Sequence, residues 1–236
     1  MTLGPHESGV IDNDMTTVAG VGTLRVGIVV PNPPFTGMPG GLDVDLANAI
    51  ADALGDRAEF VDYRTVDEVL EALGSGDVDC AAGGLTATDG PVAFAPPYLI
   101  AGQALAVDAE NHPNVHSVDE LDGLTVAVQR GSAAERFAAQ LKGPVKRCDR
   151  LDIDGCDAIV ALAPVLTEYA KGRSDVDVVQ KGLSVEHIAL AVAGHDQQML
   201  SRITVAQAEL EEAGTLQQIR RRWLGNPYAD QSLAVH

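Results

Sequence analysis

Two short glycine-containing turns carry the residue types best suited to hold a small molecule. The run Gly83-Gly84-Leu85-Thr86 offers backbone N–H groups and a hydroxyl, and Gln129-Arg130-Gly131-Ser132 offers an amide, a hydroxyl and a helix start. Helix N-termini attract anions, but no phosphate-loop lysine follows either turn, so a phosphate cradle is a weak reading. Glu135 lies three residues after Ser132, the spacing of a capping box, and reads as a capping partner before a general acid. No Ser/His/Asp or Cys/His set can be assembled from segments that the fold would bring together. The six histidines are scattered, and His187 and His195 flank an apolar strand. Of the three cysteines, Cys80 sits in the alternating run DVDCAAGG and reads as a small core residue. Cys148 and Cys156 stand eight apart and could form one bridge in an oxidising compartment. With no CxxC pair and no HExxH, neither a metal nor a cofactor is expected.

Composition narrows the partners. Thirty-four acidic residues against sixteen basic ones give a net charge of −18 over 236 residues. A field of that sign repels phosphate backbones and anionic membrane surfaces, which excludes nucleic acid. Aromatic residues number nine, with Trp223 the single tryptophan, so ligand stacking would draw on a small supply. No run of about 18 apolar residues exists, so no transmembrane segment is expected. The first 22 residues lack a basic start followed by an apolar core, so they do not read as a signal peptide. The chain is then either cytoplasmic, or extracytoplasmic after removal of a leader, and a monomer is expected.

The elements that position the two turns follow from periodicity. LRVGIVV (24–30) reads as a buried strand ended by the prolines of PNPPF, and LDVDLANAIADALG (42–55) as a helix burying Val44, Leu46, Ala47, Ile50 and Leu54. AEFVDY (58–63) and VDCAAGG (78–84) read as strands around a helix over 65–76, with Thr65 as N-cap and Glu68 completing a capping box. That alternation demands a largely parallel sheet with covering helices. A second series follows: a long apolar strand over 98–108, a short capped helix at 117–123, a strand at 124–131 and a helix at 132–143. Strands at 156–164 and 187–194, a helix at 165–172 and terminal helices at 196–213 and 215–224 complete it. Two α/β units joined by two apolar crossings predict two lobes with a ligand cleft between them.

The segments LRVGIVVPNPPF, GLDVDLANAIADALG, LGSGDVDCAAGGLTAT, PPYLIAGQALAV, LDGLTVAVQRGS, CDAIVALAP, HIALAVAG and GTLQQIRRRWLG occur in this order. Together they resemble the family 3 solute-binding proteins of polar amino-acid ABC transporters, over about residues 24–225. The resemblance implies an α/β, two-lobed periplasmic-binding-protein type II fold, with two mixed sheets joined by two crossover hinge strands, around Ala101–Ala106 and Ala189–Ala193. It implies lobe 1 at 24–104 and 192–225 and lobe 2 at 105–191; residues 1–23, largely polar and Gly/Thr-rich without periodicity, read as a mobile extension and 226–236 as a tail. The implied partners are a small-molecule ligand and an ABC permease.

Carried over position by position, the resemblance places Val29, Asn32, Phe35, Val66, Gly84, Thr86, Gln129, Ser132 and Leu162 at the ligand. The charged partners of an amino acid are missing. The family's arginine, five residues past Thr86, is replaced by Pro91, and the aspartate that meets the ligand ammonium is replaced by Leu162. The aromatic walls are replaced by Asn32 and Val66. A zwitterion brings two charges into a closing cleft, and losing both partners removes about 2–5 kcal/mol for each. The expectation is a largely uncharged cleft that takes a neutral or atypical small molecule, with weak or no binding of Gln, Glu, Asp or Arg. The alternatives are a ligand-poor scaffold and a cleft enzyme similar to the cyclohexadienyl dehydratases, for which the matched positions supply neither an arginine nor an acid.

Overall fold

Residues 22–37, 39–226 and 228–231 are described by a computed structural model of the chain. The proposed extension at 1–23 falls almost wholly outside the described residues, as does most of the tail. In chain order, β1 (Gly22–Val29) leads through α1 (Leu42–Ala53) to β2 (Asp56–Tyr63), then through α2 (Val66–Ser75) to β3 (Cys80–Ala82) and β4 (Val92–Phe94). The crossing to the second lobe is β5 (Leu99–Ala101), followed by β6 (Gln103–Asp108). The second lobe continues with β7 (Val126–Gln129), α3 (Ala133–Ala138), β8 (Val145–Cys148), β9 (Ala158–Leu162), α4 (Ala163–Tyr169) and β10 (Val176–Lys181). The chain returns through β11 (Glu186–Ile188) to β12 (Ala191–Ala193), and ends in α5 (Gln197–Glu212) and α6 (Thr215–Trp223).

The fold is two-lobed, with one mixed five-stranded sheet in each lobe. The first sheet runs β2-β1-β3-β12-β4 and the second β10-β6-β9-β7-β8. In the first, β1 pairs in parallel with β2 and β3, while the returning β12 is antiparallel to β3 and β4. In the second, β9, β7 and β8 are parallel to one another, and β6 runs antiparallel to β9 and β10. Between the lobes, β5 and β11 form a two-stranded antiparallel ribbon.

The expected single strand over 98–108 is broken at Gly102, where the Ser184 carbonyl on the returning crossing occupies the place a Cβ would take. The strand expected over 187–194 is divided likewise, because β11 pairs with the crossing and β12 with the first sheet. β8 and β10 were not legible as strands: their burial alternates weakly and both lie at sheet edges. The helix expected over 132–143 ends at Ala138, and the one expected from 165 starts at Ala163.

Local sequence chemistry sets several boundaries. Thr65 caps α2 by accepting from the Glu68 N–H at 3.2 Å, and the Glu68 carboxylate accepts from the Arg64 N–H at 2.8 Å. The capping box expected at Thr65 is thus displaced by one residue on its return arm. A full capping box, Ser117 with Glu120, starts the 3-10 turn at Val118–Glu120, where a short helix was expected. The buried face of α1 includes Leu46, Ala47 and Ile50 as its apolar period predicts, and also a carboxylate, Asp43. Segment 228–231 is docked: the Gln231 amide exchanges two hydrogen bonds with the Ile100 backbone, at 2.9 and 2.7 Å.

Candidate functional site

The strand ends and helix starts of the two lobes converge on one cavity of about 210 Å³. That is far above the roughly 10–15 Å³ one buried water occupies, and is space for a small solute. Lobe 1 contributes Val29 and Asn32 from the end of β1, Val66 from the start of α2, and Gly84 and Thr86 from the turn after β3. Lobe 2 contributes Gln129 at the end of β7, Ser132 before α3 and Leu162 at the end of β9. Eight of the nine positions singled out from sequence therefore share one wall-to-wall space.

Phe35 is the exception. It is wholly buried and does not border the cavity. Its ring lies beneath Gly84, where an added Cβ would meet Cδ2 at 2.6 Å. The aromatic thus supports the turn from below instead of facing a ligand. Because Gly84 also has φ +72, Gly84→Ala combines a left-handed backbone with a steric clash. We expect it to destabilise the protein by about 2–3 kcal/mol in chemical denaturation, and the ring displacement to weaken solute binding.

Asp43 organises that same turn. Its Oδ2 accepts from the N–H groups of Gly83 and Gly84 at 2.7 and 2.8 Å, and its Oδ1 from the Tyr98 hydroxyl at 2.5 Å. Full burial pushes the carboxyl up to about 6, although the three donors pull it back. From the other side, the Asn32 amide donates to the Gly83 carbonyl at 2.8 Å. The turn is further strapped to the returning crossing, where Ala87 N donates to His187 O at 2.8 Å and Ala189 N donates to Leu85 O at 3.0 Å.

In lobe 2 the polar handles are partly committed. Ser132 Oγ donates to the Gln129 carbonyl at 2.7 Å and does not cap α3. The Gln129 amide donates to Asp149 O at 3.3 Å. No side chain caps α3; Glu135 accepts instead from the N–H of Gly131, in the turn before the helix, at 2.8 Å and from Arg147 Nε at 2.5 Å. The Gly131 N–H and the Arg147 guanidinium hold its carboxyl below the usual range. The capping box suggested by the Ser132–Glu135 spacing does not form, yet Glu135 is a structural anion on the turn before α3 and a poor proton donor near neutral pH.

Among the polar members of the wall, sequence reasoning missed Thr88 and three larger side chains. Asp67 and Arg136 stand at the exposed edge of the cavity, from α2 and α3 respectively. Asp67 reaches across to lobe 2, with its Oδ1 placed 3.6 Å from where a Gly131 Cβ would be. The expected uncharged cleft thus has a charged mouth. Arg136 was detectable, since it follows Ser132 by one helical turn and shares its face. The third is Gln103, a lone amide inside an apolar run, and it is fully buried at the cavity floor.

All three cysteines are free thiols, and Cys148 Sγ donates to the Val128 carbonyl at 3.2 Å. Among the described residues no helix is long and apolar enough to cross a membrane.

Comparison with known proteins agrees with this architecture. The chain is 27% identical over 223 residues to the L-cystine-binding protein TcyJ of Escherichia coli (strain K12), covering 86% of this chain and 83% of that protein. An ancestral arginine-binding protein bound to arginine superposes with a TM-score of 0.78 at 34% identity, covering 86% of this chain and 99% of that one. An ancestral amino-acid-binding protein described as a precursor of cyclohexadienyl dehydratase superposes with a TM-score of 0.76 at 31% identity, covering 86% and 95%. The family profile of bacterial extracellular solute-binding proteins, family 3, matches residues 24–226. With that match spanning both lobes and the cleft between them, the chain belongs to the family 3 solute-binding proteins.

Proposed function

We propose that this protein captures a small, neutral solute between its lobes and presents it to an ABC permease. The observation that carries the reading is the chemistry of the cavity interior. The inner wall is built from Val29, Leu162, Ala161, Thr86, Asn32 and Gln103, without a buried acid or base to meet a zwitterion. The charges present, Asp67 and Arg136, are exposed at the mouth, where water screens them and each contributes about 0–1 kcal/mol to pairing. Acid catalysis of the dehydratase kind gains no support from Glu135, whose carboxyl is held ionised by its partners.

Native mass spectrometry of gently purified protein should find a co-purified neutral molecule. Isothermal calorimetry with L-glutamine, L-glutamate, L-aspartate and L-arginine should show no micromolar binding. Small-angle scattering should show compaction when the true solute is added, since a ligand closes the lobes by its contacts with both.

One observation favours a second reading. Where the resemblance implies an arginine in lobe 1 and an acid in lobe 2, this cleft has Asp67 in lobe 1 and Arg136 in lobe 2. An amino acid could then bind with its ends exchanged between the lobes. A micromolar dissociation constant for any of the four amino acids, lost in both Asp67→Asn and Arg136→Gln, would establish this reading and displace the neutral one.

A further inference from the structure

The floor of the cavity contains an amide with nothing to bond to. Gln103 is 0% exposed, and neither its Oε1 nor its Nε2 has a hydrogen-bond partner among the described residues. Its backbone, in contrast, is pinned on both sides. Its N–H donates to Ser184 Oγ at 3.1 Å, and its carbonyl accepts from Leu183 N at 3.0 Å. In the sheet it stands opposite Leu162, which borders the same cavity. The position is therefore held firmly while the side chain is left without partners, at the point where the crossing from lobe 1 enters lobe 2.

A buried amide with both ends unsatisfied destabilises a protein, because each unmade bond forfeits hydration without replacement. Leucine in this place would fill similar space at no such cost. An adjacent donor and acceptor on a ligand would satisfy Oε1 and Nε2 together, in the manner of the Gln231 amide, which bonds both backbone groups of Ile100. A group with only one of the two functions would leave half the amide stranded. Lactams, ureas and primary carboxamides present this paired edge in a neutral group.

We infer that Gln103 is the specificity-determining residue of the cleft, and that the solute carries a neutral cis-amide edge, a lactam, urea or carboxamide, which pairs with the Gln103 side chain. This rests on the reading of the cleft as a neutral-solute site. Two bonds to this amide would give the cleft a means of discriminating among neutral molecules of similar size. A site built around a hydrogen-bonding pair rejects analogues that lack one member far more strongly than an apolar pocket rejects a missing methylene.

The test uses two probes of nearly equal size, 2-pyrrolidinone and N-methyl-2-pyrrolidinone, with the full chain and its Gln103→Leu variant. Titrations are followed in ¹H–¹⁵N spectra, where the Gln103 side-chain NH₂ pair is assigned by its loss in the variant. The expected result is that 2-pyrrolidinone shifts this pair and binds at least about tenfold more tightly than the N-methyl analogue. In Gln103→Leu that preference should vanish, while the melting temperature of the ligand-free protein rises by about 2–4 °C. Equal binding of the two lactams, a preference that survives in Gln103→Leu, or no engagement of the Gln103 amide at millimolar probe would overturn the inference. The reading of the cleft is judged separately. If a neutral solute co-purifies and is retained by Gln103→Leu, only the role of Gln103 falls. If no solute co-purifies, scattering is unchanged by every compound and neither lactam binds, both fall.

Discussion

Asp43→Ala is expected to lose about 3–5 kcal/mol of stability in chemical denaturation, the largest effect near the cleft. The substitution strands three buried donors at once: the N–H groups of Gly83 and Gly84 and the Tyr98 hydroxyl. Each unmade bond costs about 1–3 kcal/mol when its donor stays out of water. Solute affinity should fall with stability, since the same carboxylate holds the turn that carries Gly84 and Thr86 into the cavity. A pH measurement isolates the charge. With the Asp43 carboxyl raised from 3.8 to about 6 in the folded protein, the folded state holds this proton more tightly than the unfolded chain does. The stability Asp43 contributes is therefore full below 3.8 and is lost as pH rises through about 6. The difference in stability between wild type and Asp43→Asn should decline across that window, with a slope of up to about 1.4 kcal/mol per pH unit. A flat difference curve would show that the carboxyl is not raised.

Arg220→Ala is expected to cost about 3–5 kcal/mol, with no direct contact to the cleft. Arg220 is 1% exposed and pairs with Glu211 through two hydrogen bonds, at 2.9 and 2.7 Å. It also donates to the carbonyls of Tyr98 and Gln231, at 3.1 and 2.6 Å. Removing it leaves the nearly buried Glu211 carboxylate unpaired and releases the segment whose Gln231 amide holds Ile100 in the crossing ribbon. Its neighbour provides the control. Arg221 pairs with Asp230 at 3.5 Å with both side chains more than 60% exposed, so Arg221→Ala should shift stability by less than about 1 kcal/mol. Equal losses in the two variants would show that Arg220 does not act as a buried hub.

The three consecutive arginines at 220–222 read in sequence as cations that complement a helix C-terminus, and that reading describes Arg221 well. It fails for Arg220. Periodicity identifies which face of a helix is apolar, but not which charge on that face has a partner from another segment. The Arg220 contact with Tyr98 joins residues 122 apart, and the Asp43 contact with Tyr98 joins residues 55 apart. Phe35 shows a related limit. A motif locates a backbone segment, whereas the direction of one side chain depends on what lies above it, here a glycine without a Cβ to hold the ring away. Gln103 was hidden for a third reason: inside an apolar strand a single amide cannot be told from a surface residue until both crossings are in place.

The two-lobed α/β fold, family membership and the location of the two cavity-facing turns were determined by the amino-acid sequence alone. They depend on strand and helix periods and on glycine-containing turns, which are local and ordered along the chain. Only the tertiary structure decided which of those residues face the cavity, which polar groups are consumed in holding the turns, and which amide is left without partners. Those outcomes depend on contacts between segments far apart in the chain. At this site, the free energy of burying a polar group is set by those distant partners.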